Sequence, residues 1–302
     1  MELRTLRYFV VLADELNFGR AAARPHMTQP PLSRAIQQLE TDLGTELFSR
    51  SSAGVALTTA GNVLRDEARA LLAQADAVRQ RVVDATGPAS LTIGSLADSA
   101  EHTALADAFR SRHPHVSIRI REKDLTDPTA GLRAGVVDVA LTRTPFQTAG
   151  ITTRILRSDP VFVVVRSDDD LAGRAEVGAG ELAGRTWFRF PDGTDPVWRD
   201  FWTAPAVAAG AAGRGPVVRT ASECLQSVLW NGSIGLMPMP HALPDGMATA
   251  PLKGATRSDF VVAWRRGNRN PLVRSFAAVA AETYRSGIAD AQTVLDGTAQ
   301  LD

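Results

Sequence analysis

The sequence predicts a two-part fold, an N-terminal all-α helix-turn-helix continued by one long helix and then a C-terminal α/β part. Three observations predict it. Residues 29–39 carry apolar side chains at helical spacing just behind a strong start signal, and residues 64–82 carry an apolar seam whose steps alternate between four and three. Beyond a breaker at Thr86-Gly87-Pro88, strand-like and helix-like runs alternate.

The first of these elements lies in GRAAARPHMTQPPLSRAIQQLETDLGTELFSR, residues 19–50, where two short helices meet at a tight turn. Thr28 is a suitable N-cap, and Pro30 and Pro31 fall in the first turn, where a missing backbone N–H costs no internal hydrogen bond. The second helix therefore starts at Gln29. Leu32, Ile36 and Leu39 follow at i, i+4 and i+7 and form its apolar face, which turns Gln29, Ser33, Arg34 and Gln37 outward. Amide, hydroxyl and guanidinium groups on one exposed face suit base edges and phosphates, while an ordinary solvated helix face is the alternative reading.

The second element is the run 58–84, in which Leu64, Ala68, Leu71, Ala75, Val78 and Val82 make a narrow seam. Such a seam predicts a long dimerisation helix, and packing of the same stripe on its own domain is the alternative. Arg65 and Arg69 near its start suit phosphate contact or simple solvation.

The third element begins after residue 88. Strands are expected at 91–94, 116–121 and 137–141, with helices at 103–112 and 129–134, a βαβ series that implies a mostly parallel sheet.

Composition bounds the function. At 302 residues and 44% hydrophobic content the chain is long enough for more than one domain with a sizeable core. No signal-like apolar run follows Glu2 and no stretch approaches a membrane span, so a cytoplasmic protein without membrane contact is expected. The single Cys224 excludes an intramolecular disulfide and any multi-cysteine metal site, and His26, His102, His113, His115 and His241 form no metal-ligand spacing, so no metal is expected. Basic and acidic residues balance at 33 each, and the first 85 residues hold ten arginines against ten carboxylates. DNA affinity from bulk electrostatics is therefore modest, and binding depends on where a few arginines sit and on pairing two readers.

Taken together, MELRTLRYFVVLADELNF, Ala21-Ala22, Gln29-Pro30, Leu32-Ser33-Arg34, Leu39-Glu40, Leu43-Gly44, Leu47-Phe48, Arg50 and Leu57-Thr58-x-Ala60-Gly61 resemble, in order and spacing, the winged helix-turn-helix of the LysR-type transcriptional regulators. The resemblance implies that Gln29, Pro30, Ser33, Arg34 and Gln37 contact DNA with Thr28 and Thr58 beside them, and that Arg50 and the turn 51–55 form the wing. Two positions depart from the pattern. Gly19 stands where Ser or Thr usually caps the first helix of the pair, which weakens that cap, and Pro25 stands where a Leu is usually buried, which shortens or tilts the helix.

The pieces LTIG, ALADAFRSRHPHVSIRI, LRAGVVDVALTR, DPVFVVVRSDDDLA and Ile234-Gly235-Leu236-Met237-Pro238 resemble the effector-binding domain of the same family, a two-lobed α/β fold like that of periplasmic (type II) solute-binding proteins; the segment 231–238 looks one residue shorter than usual. The implied domains are a DNA-binding domain at 1–58, a linker and dimerisation helix at 59–86 and an effector-binding domain at 87–302. Within the last, lobe I takes 91–159 and 264–288 and lobe II takes 160–263. Ligand is then expected beyond the strand ends, near Ser95, Asp98, Ser99, Glu101, His102, Asp124, Thr126, Arg143 and Thr144 from lobe I and Arg189, Phe190, Ser222 and Glu223 from lobe II.

Asp98 and Glu101 are spaced like a helix cap, or else their charge favours a neutral or cationic effector; Arg143 argues for a carboxylate. Cys224 reads as an inert packed thiol, with oxidant sensing as the alternative. The resemblance implies an inverted-repeat duplex DNA, a small-molecule effector and a dimer assembled further into a tetramer as partners, and leaves room for contact with RNA polymerase. No cofactor is expected. No GxSxG, HExxH or Walker pattern supports an enzyme, and a solute-binding protein of the same fold would have no use for the first 85 residues.

Overall fold

A computed structural model describes residues 1–23, 28–51, 54–84, 87, 89–96, 102–208, 210, 215–239 and 243–298, with the backbone alone for 50, 51, 81, 84 and 286–298. The chain divides into two compact units, Met1–Thr86 and Gly87–Asp302.

The first unit runs α1 (Leu3–Glu15), α2 (Phe18–Ala23), α3 (Gln29–Leu43), an antiparallel hairpin of β1 (Phe48–Ser51) and β2 (Gly54–Leu57), and α4 (Thr59–Asp84). Its core gathers Leu6, Phe9 and Leu12 from α1, Ala21 and Ala22 from α2, Leu32, Ile36 and Leu39 from α3, then Leu47, Phe48 and Ala68. Each of the large side chains contributes about 1.5–3 kcal/mol on burial. Gly61 is fixed by close approach, since a Cβ there would lie 2.1 Å from the Leu47 carbonyl oxygen.

Two expectations for this unit change. Gly19 is not the cap of α2: the helix starts at Phe18, and the Asn17 side chain accepts from the Arg20 N–H at 3.0 Å. Pro25 lies outside the described residues. The seam of α4 is also divided. Ala68 is buried in the unit's own core and Leu64 is half-buried against it, so the core takes up these two positions at least in part. Leu71, Val78 and Val82 farther along are 40%, 48% and 67% exposed, and Ala75 is half-buried. Arg7 pairs with Asp76 at 2.9 Å and Arg69 pairs with Asp14, which ties both halves of α4 to α1.

The second unit holds two sheets. In the five-stranded sheet, ordered β4-β3-β5-β10-β6, β3 (Ser90–Ser95) runs parallel to β4 (Ser117–Glu122) and β5 (Val139–Arg143), while β10 (Ser258–Arg265) runs antiparallel to β5 and β6 (Ile151–Asp159). Phe109 of α5 (Thr103–Arg112) and Val273, Phe276 and Ala280 of α8 (Pro271–Thr298) complete its core. In the smaller sheet, β7 (Val161–Arg166) lies between β8 (Gly235–Pro238) and β9 (Met247–Pro251), antiparallel to both. Its elements include α6 (Pro196–Ala208) and α7 (Ala221–Asn231), and its core holds Val163, Trp187, Ile234 and Ala250.

The sheets are thus mixed and antiparallel rather than mostly parallel, because the chain enters and leaves the smaller lobe through long strands instead of helical crossovers. The return to the first sheet comes at Ser258, not at residue 264, so β10 belongs wholly to lobe I. Residues 129–134 are successive turns rather than a helix, since Ala130 at φ 50° and Gly131 at φ 92° interrupt helical backbone.

Candidate functional site

The exposed face of α3 is built by its prolines as much as by its polar residues. Thr28 takes the extended N-cap backbone, φ −82° and ψ 158°, yet its side chain makes no cap hydrogen bond. The reason is chemical: an N-cap oxygen accepts from the second or third helical N–H, and those positions are Pro30 and Pro31, which have none. The Thr28 hydroxyl is left for another partner. Gln29, Pro30, Arg34 and Gln37 are exposed beside it, with Ser33 half-buried.

Arg34 has no ion pair among the described residues, whereas Arg20 pairs with Glu15, Arg65 with Asp66 and Arg69 with Asp14. Those last two therefore have a carboxylate partner within the chain. Arg50 stands on β1 opposite Val55. Thr58 is committed to the fold, since its Oγ1 donates to the Glu46 carbonyl at 2.7 Å and accepts from Gly61 N–H at 3.0 Å, which caps α4 and leaves little for DNA. One structural residue escaped sequence reasoning: the Glu40 carboxylate accepts from the Leu47 and Phe48 N–H groups at 2.9 and 3.1 Å, tying the end of α3 to the hairpin.

In the second unit, a cavity of about 520 Å³ opens beyond the carboxyl ends of β3, β4 and β5. Leu96, Glu122, Lys123, Leu125, Thr142 and Arg143 line it from one lobe; Phe188, Phe190, Trp198, Trp202, Ser222, Cys224, Leu236 and Met237 are among those lining it from the other. Gly235 admits the Phe188 ring, for a Cβ there would lie 2.0 Å from it.

Most polar groups around the cavity are already engaged. Arg143 is ion-paired with buried Asp159 at 2.7 Å, and Arg157 holds the other oxygen of the same carboxylate at 2.6 Å. At the start of α6, Asp195 accepts from the N–H groups of Val197 and Trp198 at 3.1 and 3.2 Å, accepts from Gln147 N–H at 3.2 Å and lies 3.6 Å from Arg133. At the start of α7, the Thr220 hydroxyl accepts from Glu223 N–H at 3.1 Å and the Glu223 carboxylate accepts from Arg219 N–H. Both helix N-termini hold the chain's own oxygens where an anion would otherwise sit. Burial, helped by the Glu223 charge, pushes the Cys224 thiol up to about 12, so it is an uncharged wall group rather than a thiolate.

Of the expected cleft residues, the structure brings Arg143, Phe190 and Ser222 to this cavity. Ser95 and His102 line a different one, of about 550 Å³, beside α5 and β4; the His102 Nδ1 lies 3.3 Å from the Tyr284 hydroxyl and its ring stacks on Phe260. Asp124 and Thr126 are hydrogen-bonded to each other, and Asp124 lies 4.0 Å from Arg219. Thr144 is held along β10, its carbonyl accepting from Ser258 Oγ at 3.1 Å, and Arg189 Nε donates to the Gly215 carbonyl at 3.1 Å. Asp98, Ser99 and Glu101 lie outside the described residues. Sequence reasoning missed Lys123, Phe188, Trp198 and Trp202; the i, i+4 spacing of two tryptophans was the available signal, and Lys123 carried none beyond being one of two lysines.

Among the described residues no helix is long and apolar enough to cross a membrane, and no three His, Cys, Asp or Glu side chains gather as a metal set. Comparison with known proteins agrees with this geometry. The family model described as bacterial regulatory helix-turn-helix protein, lysR family, matches residues 3–62, and the LysR substrate binding domain matches residues 84–285. The chain is 33% identical over 299 residues to the Hca operon transcriptional activator HcaR of Escherichia coli (strain K12), covering 95% of this chain and 99% of that protein. It is 31% identical over 290 residues to the HTH-type transcriptional regulator XapR of the same organism, covering 92% and 97%. Among solved structures, CbnR, a LysR family transcriptional regulator, superposes with a TM-score of 0.58 at 23% identity over 94% of this chain and 99% of that one, a likeness of fold. Full-length BenM superposes with a TM-score of 0.51 at 24% identity, covering 97% and 98%.

Proposed function

The chain belongs to the LysR family of DNA-binding transcriptional regulators, with a substrate-binding domain behind its helix-turn-helix, and on that basis we propose how it works. It is a cytoplasmic homodimer, assembled further into a tetramer, that grips an inverted-repeat operator through two copies of the helix face at 29–39. The observation that carries this is the polar face of α3, with a Thr28 hydroxyl that its own helix cannot use and an Arg34 without an ion pair among the described residues. Arg34 and Gln37 read base edges; Thr28 and the wing around Arg50 meet phosphate. Leu71, Val78 and Val82, exposed along α4, form the seam between protomers.

A small-molecule effector in the cavity beyond β3, β4 and β5 shifts the two lobes and, through them, the spacing of the readers. Such coupling requires the ligand to bind one arrangement better than the other. Contact with RNA polymerase belongs to the same proposal. Gel retardation of the DNA upstream of the chain's own gene tests it. Retention at low salt is expected; no retention, with or without candidate ligands, would count against it.

A further inference from the structure

Taking the cavity beyond β3, β4 and β5 as the effector site, we infer that its ligand is an amphipathic monoanion, an apolar planar body bearing one acidic group, and that Lys123 receives the acid. The walls supply the first half of this. Trp198 and Trp202 are only 4% and 5% exposed, their rings stand 5.4 Å apart, and Phe188 meets Phe190 edge-on at 5.8 Å. An aromatic wall of this kind favours a flat apolar partner. The Nε1 atoms of both tryptophans are buried without a hydrogen-bond partner among the described residues. Enclosed in this way, those N–H groups present no donor to a ligand, so the wall at these two residues is apolar.

The second half comes from elimination among the polar groups on the wall. Asp159 holds Arg143, Asp195 fills the start of α6, and Thr220 with Glu223 fills the start of α7. Lys123 is half-buried, lines the cavity and has no ion pair or side-chain hydrogen bond among the described residues. Its neighbour Glu122 is exposed, and strand alternation sets it with Ile118 and Ile120, beside which it also lines the other cavity. Lys123 follows on the opposite face. A charged hydrogen bond from a partly desolvated ammonium to a ligand acid is stronger than one in water, and its loss is read directly as affinity.

Two dyes sharing one ring system separate charge from apolar fit: 1-anilinonaphthalene-8-sulfonate, and the uncharged N-phenyl-1-naphthylamine that lacks the sulfonate. Each is titrated by fluorescence into the full chain, a Lys123→Gln variant and an Ala221→Trp variant that narrows the cavity at an exposed wall position. Lys123→Gln is expected to weaken the sulfonate dye about tenfold and to leave the neutral dye within about twofold, while Ala221→Trp weakens both. If Lys123→Gln leaves the sulfonate dye unchanged, or weakens both dyes equally, while Ala221→Trp still weakens both, the role of Lys123 is overturned and the cavity remains a ligand site. If Ala221→Trp alters neither dye, the reading of the cavity as the effector site fails, and this inference fails with it.

Discussion

The face of α3 and the cavity of the second unit treat their polar groups in opposite ways. On α3 the apolar residues Leu32, Ile36 and Leu39 go inward while Gln29, Ser33, Arg34 and Gln37 make no side-chain hydrogen bond among the described residues, with prolines removing even the N–H groups that would have used Thr28. Around the cavity nearly every strong polar group already has a partner within the chain, and the walls are aromatic. A convex surface of free donors and acceptors suits a hydrated polyanion whose contacts are many and individually weak. A concave apolar cavity whose Lys123 ammonium has no ion pair among the described residues suits a small molecule whose affinity comes from burial and whose orientation comes from charge.

The contrast has its largest consequence at Asp159. Replacing it with Ala leaves Arg143 buried without its counterion beside Arg157, and the second unit should lose about 3–5 kcal/mol in denaturant unfolding while DNA retention at moderate temperature persists. Ile36→Ala should act on the other side, costing about 2–5 kcal/mol in the first unit, removing DNA binding and leaving dye binding to the cavity intact. If either variant impaired both activities equally, the two regions would not be separable.

Smaller effects resolve the reading face itself. Arg34→Ala should reduce the preference for operator over scrambled duplex by about 1–3 kcal/mol in anisotropy titrations, and equal loss on both sequences would leave Arg34 only a phosphate role. Thr28→Val should be nearly neutral in thermal unfolding, unlike the roughly 1 kcal/mol lost at an ordinary N-cap, yet should weaken DNA binding. Cys224 has the least effect. Its thiol titrates near 9.0 when unfolded and is pushed up to about 12 when folded, so the stability it contributes is full below pH 9 and is lost as pH rises from there toward 12. Iodoacetamide at pH 8 should therefore leave it unmodified in the native chain.

The same contrast explains how much could be read from residue order. The face of α3 was readable because a helix of one continuous segment brings Gln29, Ser33, Arg34 and Gln37 together by periodicity alone. The cavity was not, because its walls come from strand ends and helices as far apart in the chain as Leu96 and Pro238, and pairing decides which of them meet. Arg143 lines the wall, but its partner Asp159 lies on another strand and takes up the guanidinium that suggested a carboxylate clamp. The seam 64–82 shows the intermediate case: its period is real, yet Leu64 and Ala68 are claimed by the core that α1 and α3 form. Gly19 misled because the cap belongs to Asn17, two residues earlier.

Hydroxyl-radical footprinting of the DNA upstream of the gene, with the parent chain and with Arg34→Ala, bears most directly on the proposed pairing of two α3 faces. The parent should protect two half-sites whose centres lie about 34–36 Å apart or a multiple of that, and the protection should fade at the bases of both half-sites in the variant. A single unpaired patch, or a footprint that Arg34→Ala leaves unchanged, would contradict it.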